Sequence, residues 1–123
     1  MIPLRTVLRA NSAFSLLSGA VLLFGALALD DLLGLPAGWI AAIGAGVVAF
    51  GVLVRRLSEP DPVPRRSAWF VIGADVSWVL ATAVVIVVFP DLLTDTGTWV
   101  FGIIGLLVLD FAVMQWLGLR EDA

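Results

Sequence analysis

Apolar residues fill four long stretches of this chain, and short polar segments separate them. The stretches run from about Val7 to Leu29, Trp39 to Val54, Ser67 to Phe89 and Thr98 to Leu119, the second gaining length if it begins near residue 37. At 1.5 Å rise per residue, the first, third and fourth supply the ~20 residues that cross a hydrocarbon core. The separating segments DDLLGLPAG, RRLSEPDPVPRR and PDLLTDTGT carry the Pro, Gly and Asp of turns. The pattern therefore predicts an all-α integral membrane protein, with helices at about 7–29, 37–54, 67–89 and 98–119 packed as one four-helix domain over residues 1–123. Arg5, Arg9 and the Ala26-Leu-Ala28 triplet imitate a signal peptide, but the apolar run exceeds the usual length of one, and it is read here as a helix.

Polar positions inside these stretches are few and ordered. Asn11, Ser15 and Ser18 recur at i, i+4 and i+7 on the first helix, and Asp75, Trp78 and Thr82 lie on one face of the third. Such faces turn toward a bundle interior, because lipid offers no hydrogen-bond partner. Counted from the helix ends, Asn11, Asp75 and Asp110 each lie ~12 to 15 Å deep. The expected site is a buried layer of Asn11, Ser15, Asp75 and Asp110, walled by Trp78, with Arg9 and Gln115 nearer its mouth. Two facing acids should not both ionise, so one would hold a proton, or Arg9 would supply a counter-charge. The same layer can also be read as interhelical glue, since membrane hydrogen bonds of this kind average about 0.6 kcal/mol. On the second helix Gly38, Ala42 and Gly46 form a small-residue series and Gly44 with Gly51 a second strip, predicting close contact within the bundle or with a second copy in a homodimer.

Charge sets the expected orientation. All seven basic residues are arginines; Arg5, Arg9, Arg55, Arg56, Arg65, Arg66 and Arg120 fall at the N-terminus, the central loop and the C-terminus, and the other two loops hold acids alone. The positive-inside rule makes both termini and the central loop cytoplasmic, with Trp39 and Trp99 at the outer interface and Trp69 and Trp116 near the inner one. The arginine-only basic set fits a GC-rich or salt-adapted genome, and a prokaryotic plasma membrane is the expected setting. Composition agrees: the chain is 61% hydrophobic and 14% charged. The absence of Cys and His excludes disulfides, thiolate zinc sites, imidazole-ligated haem and Ser-His-Asp or Cys nucleophiles, and no basic stripe suits a nucleic acid. No cofactor, metal site or catalytic set is expected.

The two halves resemble each other. ANSAFSLLSGAVLLF (10–24) aligns without gaps on ADVSWVLATAVVIVV (74–88), pairing Asn11 with Asp75, and GAGVVAFG (44–51) aligns on GLLVLDFA (105–112), pairing Ala49 with Asp110. Both hairpins start on one side, so the repeat would be parallel, about an axis along the membrane normal. Taken together, these features lead us to expect a small transporter-like or ligand-binding membrane protein, coupled to protons or to a cationic or polar small solute. Two further classes stand beside it: a non-catalytic subunit or assembly partner of a larger membrane complex, and an enzyme on a lipid or isoprenoid using Asp75 and Asp110, for which the paired acids of a DxxD motif are lacking.

Overall fold

The computed structural model describes residues 2–121, and within them the chain forms four α-helices: α1 (Leu4–Leu33), α2 (Ala37–Leu57), α3 (Arg65–Val88) and α4 (Asp95–Glu121). All four are long and apolar enough to cross a membrane. They exceed the expected spans at most of their ends, because amphipathic turns continue each helix past its apolar run. Proline starts three of them: Pro3, Pro36 and Pro64 lie just before α1, α2 and α3, and their carbonyls accept from Val7, Ile40 and Ala68. A residue with fixed φ and no amide hydrogen suits the position before the first turn. Gly34 ends α1 in the left-handed region, at φ 90°, and its amide bonds Asp30 O at 2.9 Å. Thr94 starts α4 by accepting from the Gly97 amide at 2.9 Å, while its hydroxyl donates to Leu32 O, so one side chain also ties the start of α4 to the end of α1.

The helices line up as α2, α1, α4, α3, and the seam between α2 and α3 is nearly unpacked. The α1–α2 seam is the tightest. A Cβ at Gly19 would meet Gly44 O and Val48, one at Gly44 would sit 2.5 Å from Leu23 N, and one at Gly51 would press on Leu16. Across the same seam Ser12 Oγ donates to Gly51 O at 2.7 Å. Of the two small-residue strips on α2, Gly44 and Gly51 thus make the packing. Gly38, Ala42 and Gly46 are exposed, and nothing lies within 4 Å of where a side chain would begin at Gly38 or Gly46.

Two apolar clusters divide the bundle along its length. At the arginine-bearing end Leu4, Leu8, Val54, Ala68, Val71, Ile72 and Leu119 form an apolar plug. At the other end Leu22, Ala26, Leu33, Ile40 and Phe101 form the second cluster. Helix α3 joins the first firmly and the second poorly: its buried residues are Ala68, Val71, Ile72 and Asp75, all in its first half. Two arginines close helix ends at the plug. Arg5 donates to Ser58 O and Glu59 O, each at 2.9 Å, and Arg65 donates to Leu119 O at 3.2 Å, placing cations where the C-terminal carbonyls of α2 and α4 point.

The glycine seam yields a paired expectation. Gly44→Ala forces backbone apart and should cost about 1–3 kcal/mol, as overpacked sites do, whereas Gly46→Ala should leave stability unchanged or raise it slightly. Unfolding in a detergent micelle, followed by helical circular dichroism, checks this; equal loss in both variants would refute the assignment of the two strips.

Candidate functional site

Asn11, Asp75 and Gln115 come from three helices and meet at one level inside the bundle. They are among its most buried polar side chains, at 1%, 3% and 0% exposure. Asn11 Nδ2 donates to Asp75 Oδ2 at 2.9 Å and to Gln115 Oε1 at 2.8 Å, and Gln115 Nε2 donates to the same Asp75 oxygen at 2.9 Å. The three bonds close a triangle. Ser15 Oγ extends it by donating to Asn11 Oδ1 at 3.4 Å. An ionised carboxylate only accepts, so both amides present nitrogen to it, and the oxygen of each is left for a neighbour.

The chemistry of this triangle lies in what it omits. Both donors are neutral amides, and no arginine joins the network. Amides orient a carboxylate and partly solvate it, but they do not balance its charge. Both bonds also converge on Oδ2, and among the described residues no hydrogen bond reaches Oδ1. Asp75 borders a cavity of about 370 Å³, whose wall includes Ser15, Ser18, Phe50 and Trp78. A second lobe of about 560 Å³ shares Ile43 and Trp78 with the first and continues toward Trp39, Val85 and Leu93, away from the arginine-bearing end. Among the described residues Asp75 is the sole charged side chain on either wall.

Several expected placements are corrected. Asp110 is exposed on the outer surface of α4 and takes no part in the layer. The buried face of α4 runs through Phe101, Gly105, Val108, Ala112, Gln115 and Leu119, and Asp110 lies two residues before Ala112, about 200° around the helix. Gln115, expected nearer the mouth, fills the central position instead. Arg9 also stands apart: two residues before Asn11, it faces away from the triangle, half-buried, with its Nε occluded and unpartnered. Trp78 does line the cavity, half-buried, and its indole nitrogen is occluded with no acceptor. Finally, the layer does not open toward the arginines. The apolar plug closes that side, and the cavity lies on the other.

One contributor went unseen in the sequence. Ser12, beside Asn11, pins α1 to α2 through the Gly51 carbonyl; its signal was adjacency to the polar face together with a glycine on the partner helix. Phe14 and Phe111 pack across the α1–α4 seam with centroids 5.6 Å apart.

The chain matches no protein-family model, no curated protein and no solved structure. Function has to be argued from this site.

The triangle makes a stability prediction. Replacing Asn11 or Gln115 with Leu removes a donor from a buried carboxylate and should cost about 1–3 kcal/mol. The double variant should differ from the sum of the two by about 0.5 kcal/mol or more, since both amides serve one oxygen. Asp110→Asn, outside the network, should stay within about 0.5 kcal/mol of the parent. Denaturant titrations of the four variants decide the matter, and additive amide effects would argue against a shared carboxylate.

Proposed function

We propose that this is a multi-pass integral membrane protein, of a prokaryotic plasma membrane, that binds a ligand in the manner of a small transporter and holds a proton or a cation at Asp75. The observation carrying this reading is a carboxylate bonded by two neutral amides, with no cation in its network, on the wall of a half-open cleft between the helices. In a low-dielectric setting such a charge is expensive, and a proton or a bound cation is what neutralises it. The positive-inside rule puts the arginine-bearing end in the cytoplasm, so the plug is cytoplasmic and the cavity belongs to the outer half.

The parallel repeat fits this arrangement. Asn11 and Asp75, equivalent by alignment, bond each other, as residues near a pseudo-twofold axis do. The same axis would relate the packed α1–α4 seam to the α2–α3 seam, which is open. An open seam opposite a closed one is a feature of a binding cleft rather than of a uniformly packed scaffold.

A role as subunit or assembly partner, or as a homodimer, draws support from a different place: exposed Asp110 on α4 and the uncovered Gly38, Ala42 and Gly46 on α2. A lipid enzyme with Asp75 and Asp110 as acid and base loses its geometric basis, since Asp75 of α3 is buried inside the bundle and Asp110 of α4 is exposed on its surface.

Infrared difference spectroscopy of the protein in lipid nanodiscs tests the main reading. A protonated carboxyl band should appear and vanish reversibly with pH, and addition of ethylammonium at fixed pH should diminish it. Asp75→Asn should abolish the band and its cation response, while Asp110→Asn should leave both in place. A band that survives Asp75→Asn, or answers neither protons nor cations, would overturn the proposal.

A further inference from the structure

We infer that the cavity takes an amphiphile with an ammonium head and a single apolar tail, entering sideways from the bilayer between α2 and α3. The inference rests on the reading of Asp75 as a proton or cation site, and names the class of cation. Its basis is the distribution of polarity along the cleft. At one end stands Asp75, with one oxygen accepting no bond, and with Ser15 and Ser18 beside it. Everything beyond is apolar or aromatic apart from Thr82 and the indole nitrogens, and no charged group lines the second lobe. A small hydrophilic cation would satisfy the carboxylate and leave the long apolar lobe without a complement. A tailed ammonium ion satisfies both.

Length and access agree. From Asp75 to Val85 along α3 the cleft runs roughly 15 Å at 1.5 Å per residue, the span of a medium alkyl chain. Hollows of about 370 and 560 Å³, with Ile43 and Trp78 lining both, fall within the size of sites that hold drug-sized molecules. The entrance is the unpacked α2–α3 seam. Its α2 side is lined by Ala42 and Gly46, which are exposed and leave room at the level where the head must pass to reach Asp75. Aqueous entry from the arginine-bearing end is blocked by the Leu4, Leu8, Val54 and Leu119 plug. The second lobe reaches the loop residues Leu35, Pro36 and Leu92 at the far end, but the open seam meets the cleft at the level of Asp75, and a molecule already dissolved in the bilayer meets no desolvation cost for its tail on moving in through it. The carboxylate then selects by charge: a cation pairs with Asp75, an anion is repelled, and a neutral head gains one hydrogen bond at most.

The test uses the full chain in nanodiscs, in a variant that keeps Trp78 alone by changing Trp39, Trp69, Trp99 and Trp116, all exposed, to Phe. Dodecylammonium brominated in mid-chain quenches an indole on contact. It should quench Trp78 saturably, and the dodecanol and dodecyl sulfate carrying the same bromines should quench it no more than brominated bulk lipid does. Asp75→Asn should weaken the ammonium probe at least tenfold. Gly46→Leu, which fills the entrance without touching the triangle, should do the same while the thermal unfolding midpoint and the infrared carboxyl band stay unchanged. Equal quenching by all three probes, or indifference to Gly46→Leu, would overturn the inference. If ethylammonium perturbs the Asp75 band while the tailed probe fails to bind, this inference falls and the cation reading stands. If neither cation acts at Asp75, this inference falls, and the reading of the site falls with it only where the carboxyl band also ignores pH.

Discussion

A carboxylate inside a helical bundle must be met by donors from its neighbours, and Asp75 is met by Asn11 of α1 and Gln115 of α4. That requirement draws three helices to one level and sets their rotation, since each must turn one short polar side chain toward a common point. Helix α2 is not part of the triangle. It is held to α1 by backbone approach at Gly19, Gly44 and Gly51 and by the Ser12 bond. The bundle therefore has two kinds of cohesion: polar convergence for α1, α3 and α4, and close glycine packing for α1 and α2.

The cleft follows from this division of labour. Helix α3 is anchored by Ala68, Val71, Ile72 and Asp75, and beyond Asp75 none of its residues is more than partly buried. With α2 committed to α1 and α3 committed to α4, the remaining seam is held only at the plug, where Val54 and the first half of α3 share one apolar cluster, and the cavity occupies the gap beyond it. Apolar packing at the arginine-bearing end makes the cavity blind on one side, and Trp78 stands where its two lobes meet. In the proposed bilayer setting, the charge that organises the helices is thus also the charge a ligand would find at the end of the cleft. Structural and binding roles of Asp75 are two consequences of one placement, because the amides that orient the carboxylate use one oxygen and spare the other.

The polar face of α1 was legible because its members repeat at helical spacing in a long apolar run. Asp75 was legible for the same reason. The error at Asp110 is instructive. Depth in a helix can be counted from its ends, but which way a residue faces depends on the rotation of the helix, and a lone acid in a run of Leu, Val and Ile carries no second polar residue to set that rotation. The small residues of α4 held the missing signal: Gly105, Ala112 and Gly118 share the buried face with Gln115 and lie away from Asp110. Gln115 was expected nearer the mouth, because counting from a helix end gives depth and not the direction in which a long side chain reaches.

Sequence by itself determined what the backbone must do: long uninterrupted apolar runs cannot leave amide groups unpaired, so they form helices, and proline, glycine and the arginine clusters mark where those helices stop. It also determined that Asn11 and Asp75 face inward, because their spacing is local and a helix converts spacing into direction. Tertiary structure alone decided that Gln115 rather than Asp110 completes the site, that one glycine strip of α2 is packed and the other open, and that the cavity lies away from the arginines. Each of these depends on how one helix is rotated and displaced against another. That is settled by the sum of weak contacts between distant segments, and no single run of residues encodes it.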